Sequence, residues 1–235
     1  MQEQTKIPER ITFSYIGNQI RSIVNLEKGF PFTIWAFLTK PGVSAREYLF
    51  GDRKRYFGSI KFLVLTVTIA VFITLKFTYS ETAFEEFVDP EAFKDTPQAL
   101  EAYLAAVNEV FSKYFNALLI SAVPIFALFT FIFFRKVKWY YAEHFAIYSY
   151  IYGITCLFSI LIVPFPKEYM MLSQGLYMSM ILIYTTFAFK RIYEEKWWPT
   201  IWKTLLIYNI SYMILMMIVA GATIIGTIIY TIMNS

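Results

Sequence analysis

The side chains able to do chemistry are few, and one pair draws attention first. Glu143 and His144 stand side by side at the mouth of an apolar run. A carboxylate beside an imidazole can tune a general base or help to hold a metal ion. Successive residues of a helix point about 100° apart, however, so the two do not share one target. Two readings stand for this pair. In one, His144 bonds a backbone or loop carbonyl on the cytoplasmic side; in the other, the pair works at the inner mouth of a helix bundle. His144 is the single histidine, so a zinc site would need carboxylates from elsewhere. Cys156 lies in an apolar stretch that would stabilise a thiolate poorly, and one cysteine permits neither an intramolecular disulfide nor a cysteine zinc cluster. The chain contains no glycine-rich phosphate loop, no Ser/His/Asp order, no His-x-x-x-His and no Walker lysine. No catalytic residue, metal or cofactor is therefore expected. A membrane-embedded enzyme using Glu143 and His144 is the outlying alternative.

A second concentration of chemistry is basic: Lys40, Arg46, the run Arg53-Lys54-Arg55, and Lys61. Lysines and arginines beside a membrane attract anionic headgroups, each worth about 1 kcal/mol. Tyr56 and Phe57 would seat next to them at headgroup depth. These six are expected to make a lipid-headgroup contact, although a set of charges that only enforces topology needs no such geometry. Nucleic acid is not an expected partner, because the dense cluster is fused to an apolar segment.

The elements that must position these residues follow from composition. Of 235 residues, 57% are hydrophobic, 20% aromatic and only 16% charged, and the mean hydropathy is +0.50. Soluble domains carry about 25% charge, so a soluble globule, a disordered chain and a disulfide scaffold are excluded. An all-α, polytopic membrane helix bundle is expected. Crossing about 30 Å of hydrocarbon takes roughly 20 apolar residues, and five segments meet that length: 60–77, 114–134, 145–163, 169–189 and 200–233. Pro124 should bend the second, and Gly221 and Gly226 the fifth. Residues 1–59 form a cytoplasmic or interfacial segment and 60–235 the bundle. Within the former, Phe13, Ile16, Ile20, Ile23 and Val24 follow helical spacing and predict an amphipathic surface helix. Phe30–Thr39 is too short to span and predicts an interfacial or shallow re-entrant helix. Ser44 and Glu47 have capping-box spacing for a short helix through Phe50, with Gly51 at its end. The first 59 residues hold no charged-then-apolar pattern ending in a small-residue cleavage site.

Residues 80–113 make an acidic outer loop, with a helix expected from Pro97 to Tyr114. Polar groups at membrane depth, Asn116, Gln174, Asn209, Ser121, Ser149, Cys156 and Ser159, are expected to hydrogen-bond between helices in the interior, worth about 0.6 kcal/mol each, or else to line a polar path. Between the bracketing lysines, the first four spans contain no ionisable Asp, Glu, Lys or Arg, which argues against ion-coupled transport. Ala222 and Gly226, small residues four apart, would let span five associate with itself or another membrane helix; packing inside the same chain is the other use of such a groove.

The run Asn25-Leu26-Glu27-Lys28-Gly29-Phe30, then Thr33, Phe37-Leu38, Lys40-Pro41-Gly42, Arg46-Glu47-Tyr48-Leu49, Gly51 and Arg53-Lys54-Arg55-Tyr56-Phe57 resembles a bacterial membrane family, domain of unknown function 3667. Ala142-Glu143-His144 is similar to a second, weaker signature of that family. The resemblance implies a fold type and a bacterial inner membrane, and no established activity. Many members begin with a Cys-x-x-Cys zinc ribbon, whereas this chain has no cysteine before Cys156.

The expected role is a non-enzymatic inner-membrane scaffold, accessory subunit or membrane-sensing module, contacting anionic lipids and a protein partner or a second copy. A permease, oligomeric pore or lipid-handling protein is the alternative. Orientation follows from charge. With the N-terminus inside and the C-terminus outside, seventeen of the 21 Lys and Arg residues fall on the cytoplasmic side and four outside. Reporter fusions at Lys138 and Lys196 should therefore read inside, and those at Gln98, Lys167 and Ser235 outside; an outside signal at Lys138 would overturn the topology.

Overall fold

The computed structural model describes residues 29–78 and 98–234. The expected amphipathic helix at Phe13–Val24 lies outside the described residues. Among the described residues seven α-helices follow in order: α1 (Gly29–Thr39), α2 (Pro41–Phe50), α3 (Ser59–Thr78), α4 (Gln98–Phe133), α5 (Tyr141–Ile162), α6 (Met170–Tyr193) and α7 (Trp197–Asn234). No strand occurs among the described residues. Short 3-10 turns at Arg53–Arg55, Arg135–Val137 and Lys167–Tyr169 join them. The last five helices are long and apolar enough to cross a membrane.

All five span helices run past an expected bound, α4 by the most. α4 has 36 residues and α7 has 38, or about 54 and 57 Å at 1.5 Å per residue. Residues 98–113, read from sequence as a loop with its own helix, continue directly into the second span. Neither glycine nor proline occurs between Gln98 and Pro124, so nothing breaks the turn-to-turn hydrogen bonding. Pro124 sits inside α4 without ending it; its carbonyl accepts the Tyr141 hydroxyl at 3.0 Å. α7 is likewise continuous through Gly221 and Gly226.

α2 also differs from the capping-box reading. It begins at Pro41, one turn before Ser44, because proline's fixed φ suits the first helical position. Ser44 is thus interior, donating its hydroxyl back to the Lys40 carbonyl at 3.0 Å. Gly51 closes the helix with its N–H on the Glu47 carbonyl at 2.9 Å.

α5 is the hub, lying against α3, α4, α6 and α1; α7 packs on α4 and α6, and α2 on α6. The stripe of α3 that faces α5 is Phe62, Leu63, Thr66, Val67, Ala70 and Val71, all buried, while Ile60, Val64 and Phe72 point outward. Their spacing is that of one helical face. Close approach happens at Gly153 of α5. A Cβ there would lie 2.5 Å from Thr66 Oγ1 and 2.8 Å from a Phe62 ring carbon. Gly153→Ala should destabilise the bundle by about 1–3 kcal/mol through overpacking, read as a lower unfolding midpoint in mild detergent. Gly175→Ala is the matched control, since nothing lies within 4 Å of its Cβ; equal midpoints for the two variants would refute the α3–α5 contact.

Candidate functional site

The site is built where α1 and α2 dock as a hairpin on one end of the bundle. The start of α3, the end of α4, the start of α5, the end of α6 and the start of α7 meet at this end. Helix termini leave backbone groups without helical partners, and such groups must find partners when water is excluded. Side chains supply them. The Phe57 N–H, two residues before α3, donates to Thr33 Oγ1 of α1 at 2.9 Å, and the Phe57 carbonyl accepts the Tyr150 hydroxyl of α5 at 2.5 Å. The Phe37 carbonyl, in the last turn of α1, accepts the Tyr184 hydroxyl of α6 at 3.1 Å. Aromatic packing accompanies these bonds. Phe37 stacks on Tyr150 with centroids 4.3 Å apart, and Phe30 meets Phe57 edge-on at 5.4 Å.

α2 is held to α6 by a backbone approach. A Cβ on Gly42 would run into the Arg191 carbonyl oxygen, and its carbon at 2.8 Å, so only glycine fits. Beside that contact, Arg46 of α2 pairs with Glu194 at 2.7 Å. Glu194 ends α6 in the left-handed conformation, φ 54°, which turns the chain sharply into α7. Its neighbour Glu195 pairs with Lys203 of α7 at 2.6 Å, and the Lys203 ammonium lies 4.7 Å from the Phe134 ring centroid. Between α2 and this α6–α7 turn opens a cleft of about 510 Å³. Lys40, Arg46, Lys190 and Arg191 line it, together with Glu194 and Glu195.

The six basic residues singled out from sequence do not share one environment. Lys40 and Arg46 border the cleft. Arg53 folds back onto α2, donating to the Tyr48 and Leu49 carbonyls at 3.0 and 3.2 Å, so it closes that helix end. Arg55 lies over the Phe32 ring at 4.4 Å. Lys54 and Lys61 are exposed. Lys190 and Arg191, which complete the cleft, escaped notice in the sequence because 150 residues separate them from Lys40.

Glu143 and His144 are separated, as their helical offset requires. Glu143 caps α5, its carboxylate accepting the Tyr140 N–H at 2.7 Å. His144 is buried, with Nδ1 at 3.0 Å from the Tyr193 hydroxyl and 3.3 Å from Thr130 Oγ1. Its partners are thus side chains of α6 and α4 rather than a loop carbonyl. Among the described residues, no three His, Cys, Asp or Glu side chains gather as a metal site.

Of the groups expected to bridge helices in the interior, Asn116 and Asn209 are exposed instead. The Asn209 amide donates to Leu205 of its own helix at 2.8 Å, because the carbonyl one turn back is within easier reach. Gln174 is half-buried and Ala222 is exposed, while the surroundings of Gly226 lie outside the described residues. Ser159 does bridge, its hydroxyl 3.2 Å from Thr74 Oγ1 of α3, and tyrosine and threonine supply further interior bridges, as in Thr185 with Tyr208 at 3.0 Å. The signal for them was present: 18 tyrosines in a membrane chain, each with a hydroxyl that needs a partner when buried.

A family profile described as "Protein of unknown function (DUF3667)" matches residues 27–71. The match supports membership of this family. It covers the hairpin, the Arg53–Arg55 turn and the first part of α3, the elements that build the docked end. No curated protein and no solved structure matches the chain.

If Gly42 sets the docking distance, Gly42→Val should lift α2 from α6. A cysteine at Ala45, fully buried in the native packing, reports this in a Cys156→Ala background. It should resist maleimide in the parent and label readily in the Gly42→Val variant; equal rates would show that docking does not depend on this approach.

Proposed function

We propose that the chain is a non-enzymatic integral membrane protein, a scaffold or accessory subunit, whose hairpin end rests on phospholipid headgroups. One observation carries the reading: cations from both ends of the sequence gather at one end of an apolar bundle. Lys40, Arg46, Lys190 and Arg191 surround the cleft, and Lys54 and Lys61 are exposed near the entry to α3. Trp35, Trp197, Trp198 and Trp202 are exposed, and all four belong to the elements of this end. Amphipathic aromatic rings at headgroup depth are typical of a membrane boundary. The excess of Lys and Arg supports placing this end at the cytoplasmic face of a bacterial inner membrane. Dense packing favours a scaffold over a permease: Phe62, Phe126, Tyr148, Tyr150 and Phe189 are fully buried in the half of the bundle nearest this end.

Neutralising the exposed lysines tests this reading while keeping the Arg46–Glu194 pair and the bonds to Phe57. Lys40→Gln/Lys54→Gln/Lys61→Gln should keep its orientation, since fourteen basic residues would still face four. It should lose anionic lipid by about a hundredfold in native mass spectrometry, if each charge contributes about 1 kcal/mol. Unchanged lipid retention would reduce these charges to a topology signal.

A further inference from the structure

We infer that the cleft between α2 and the α6–α7 turn binds a phosphate ester bearing a primary amine, the headgroup chemistry of phosphatidylethanolamine. The inference rests on the reading of this end as lipid-contacting and gives that contact a specific ligand class. Charge of both signs is arranged around one concavity of about 510 Å³. On one wall, Lys40 and Arg46 of α2 face Lys190 and Arg191 of α6. Arg46 is paired with Glu194. Lys190 and Arg191 lie against rings, at 4.7 Å from Trp197 and 5.8 Å from Phe187. Guanidinium and ammonium groups together suit a phosphate.

The opposite requirement comes from the carboxylates. The Glu195 side chain is only 10% exposed, yet it lines the cleft. Its Oε1 takes the Lys203 ammonium, while Oε2 is buried without a hydrogen-bond partner. A buried carboxylate oxygen left unpaired is costly, and a donor entering the cleft would relieve it. Glu194, 71% exposed, offers a second carboxylate at the mouth. A simple anion would satisfy the cations and leave Glu195 unsatisfied. A phosphate carrying an ammonium group satisfies both, and a primary amine has the N–H donors that a quaternary choline lacks.

The test uses the full chain in nanodiscs, with the lipids it retains on release counted by native mass spectrometry. Against a phosphatidylcholine background, phosphatidylethanolamine should be enriched about tenfold or more, the factor expected of one charge-assisted hydrogen bond. Lys190→Gln should lower retention of both phosphatidylethanolamine and phosphatidylglycerol. Glu195→Gln should lower phosphatidylethanolamine alone, and the exposed Glu194→Gln gives the same comparison should Glu195→Gln fail to fold. Soluble O-phosphoethanolamine, with inorganic phosphate as its amine-free control, separates the sources: displacement of the lipid by the former alone means that the cleft takes the free compound too, and no displacement means that it takes the lipid. Equal retention of phosphatidylethanolamine and phosphatidylcholine, or equal loss of phosphatidylglycerol on removing the carboxylates, overturns the inference. If phosphatidylglycerol retention still falls in the lysine variant, the broader lipid-contact reading survives that failure; if no phospholipid is retained, both fall.

Discussion

The backbone of Phe57 is the constraint on which the rest of this end depends. It precedes α3, so neither its N–H nor its carbonyl belongs to that helix's ladder, yet the residue is buried. Away from water, each group must be paired inside the protein. Thr33 of α1 supplies the acceptor and Tyr150 of α5 the donor. One residue's two polar groups therefore fix three elements relative to each other: the hairpin, the entry to the first span and the central helix. Removing either partner leaves an unsatisfied buried group, worth about 1–3 kcal/mol.

Other features follow from that arrangement. With Tyr150 held against Phe57, its ring becomes the surface on which Phe37 stacks, and Tyr48 meets it edge-on at 5.0 Å. α1 is then placed so that its final carbonyls meet Tyr184, and α2 so that Gly42 touches the backbone of α6. That contact brings Arg46 to Glu194 and creates the cleft. The ion pairs continue the linkage outward, because Glu194 faces α2 while Glu195, the next residue, holds α7 through Lys203. A tight left-handed turn at Glu194 is what allows adjacent carboxylates to serve different helices. Below the turn, Tyr193 stacks on Phe134 and bonds His144, tying α4, α5 and α6 together. Packing at this end is continuous from α2 to α7.

Much of the architecture was legible in the sequence because it depends on local quantities. Span number follows from apolar length, and the divergence of Glu143 and His144 follows from helical offset. α1 ends at Thr39, just before Pro41, as its breaker residues require. The helix expected over 97–114 and the span expected over 114–134 join as the single helix α4, a continuity that its breaker-free sequence carries. The candidate site was less legible. Its decisive contacts join Tyr150 to Phe57 and Tyr184 to Phe37, separated by 93 and 147 residues, and no local pattern encodes such pairings. Asn209, expected to bridge helices, satisfies itself on its own helix instead. Tyrosine reaches further: its rigid ring carries a hydroxyl across a helix interface to a carbonyl that its own backbone could not approach.

The account stands on the hairpin and the central helix behaving as one packed unit, and a double-mutant cycle between Phe37 and Tyr150 measures that directly. Single and paired leucine replacements would be compared by unfolding free energy in a fixed detergent, with far-ultraviolet circular dichroism confirming helix content. The stacked rings at 4.3 Å predict a coupling of about 0.5–1.5 kcal/mol beyond the sum of the single effects. Strict additivity would mean that α1 is not seated on α5, and would contradict the docked hairpin from which the cleft is built.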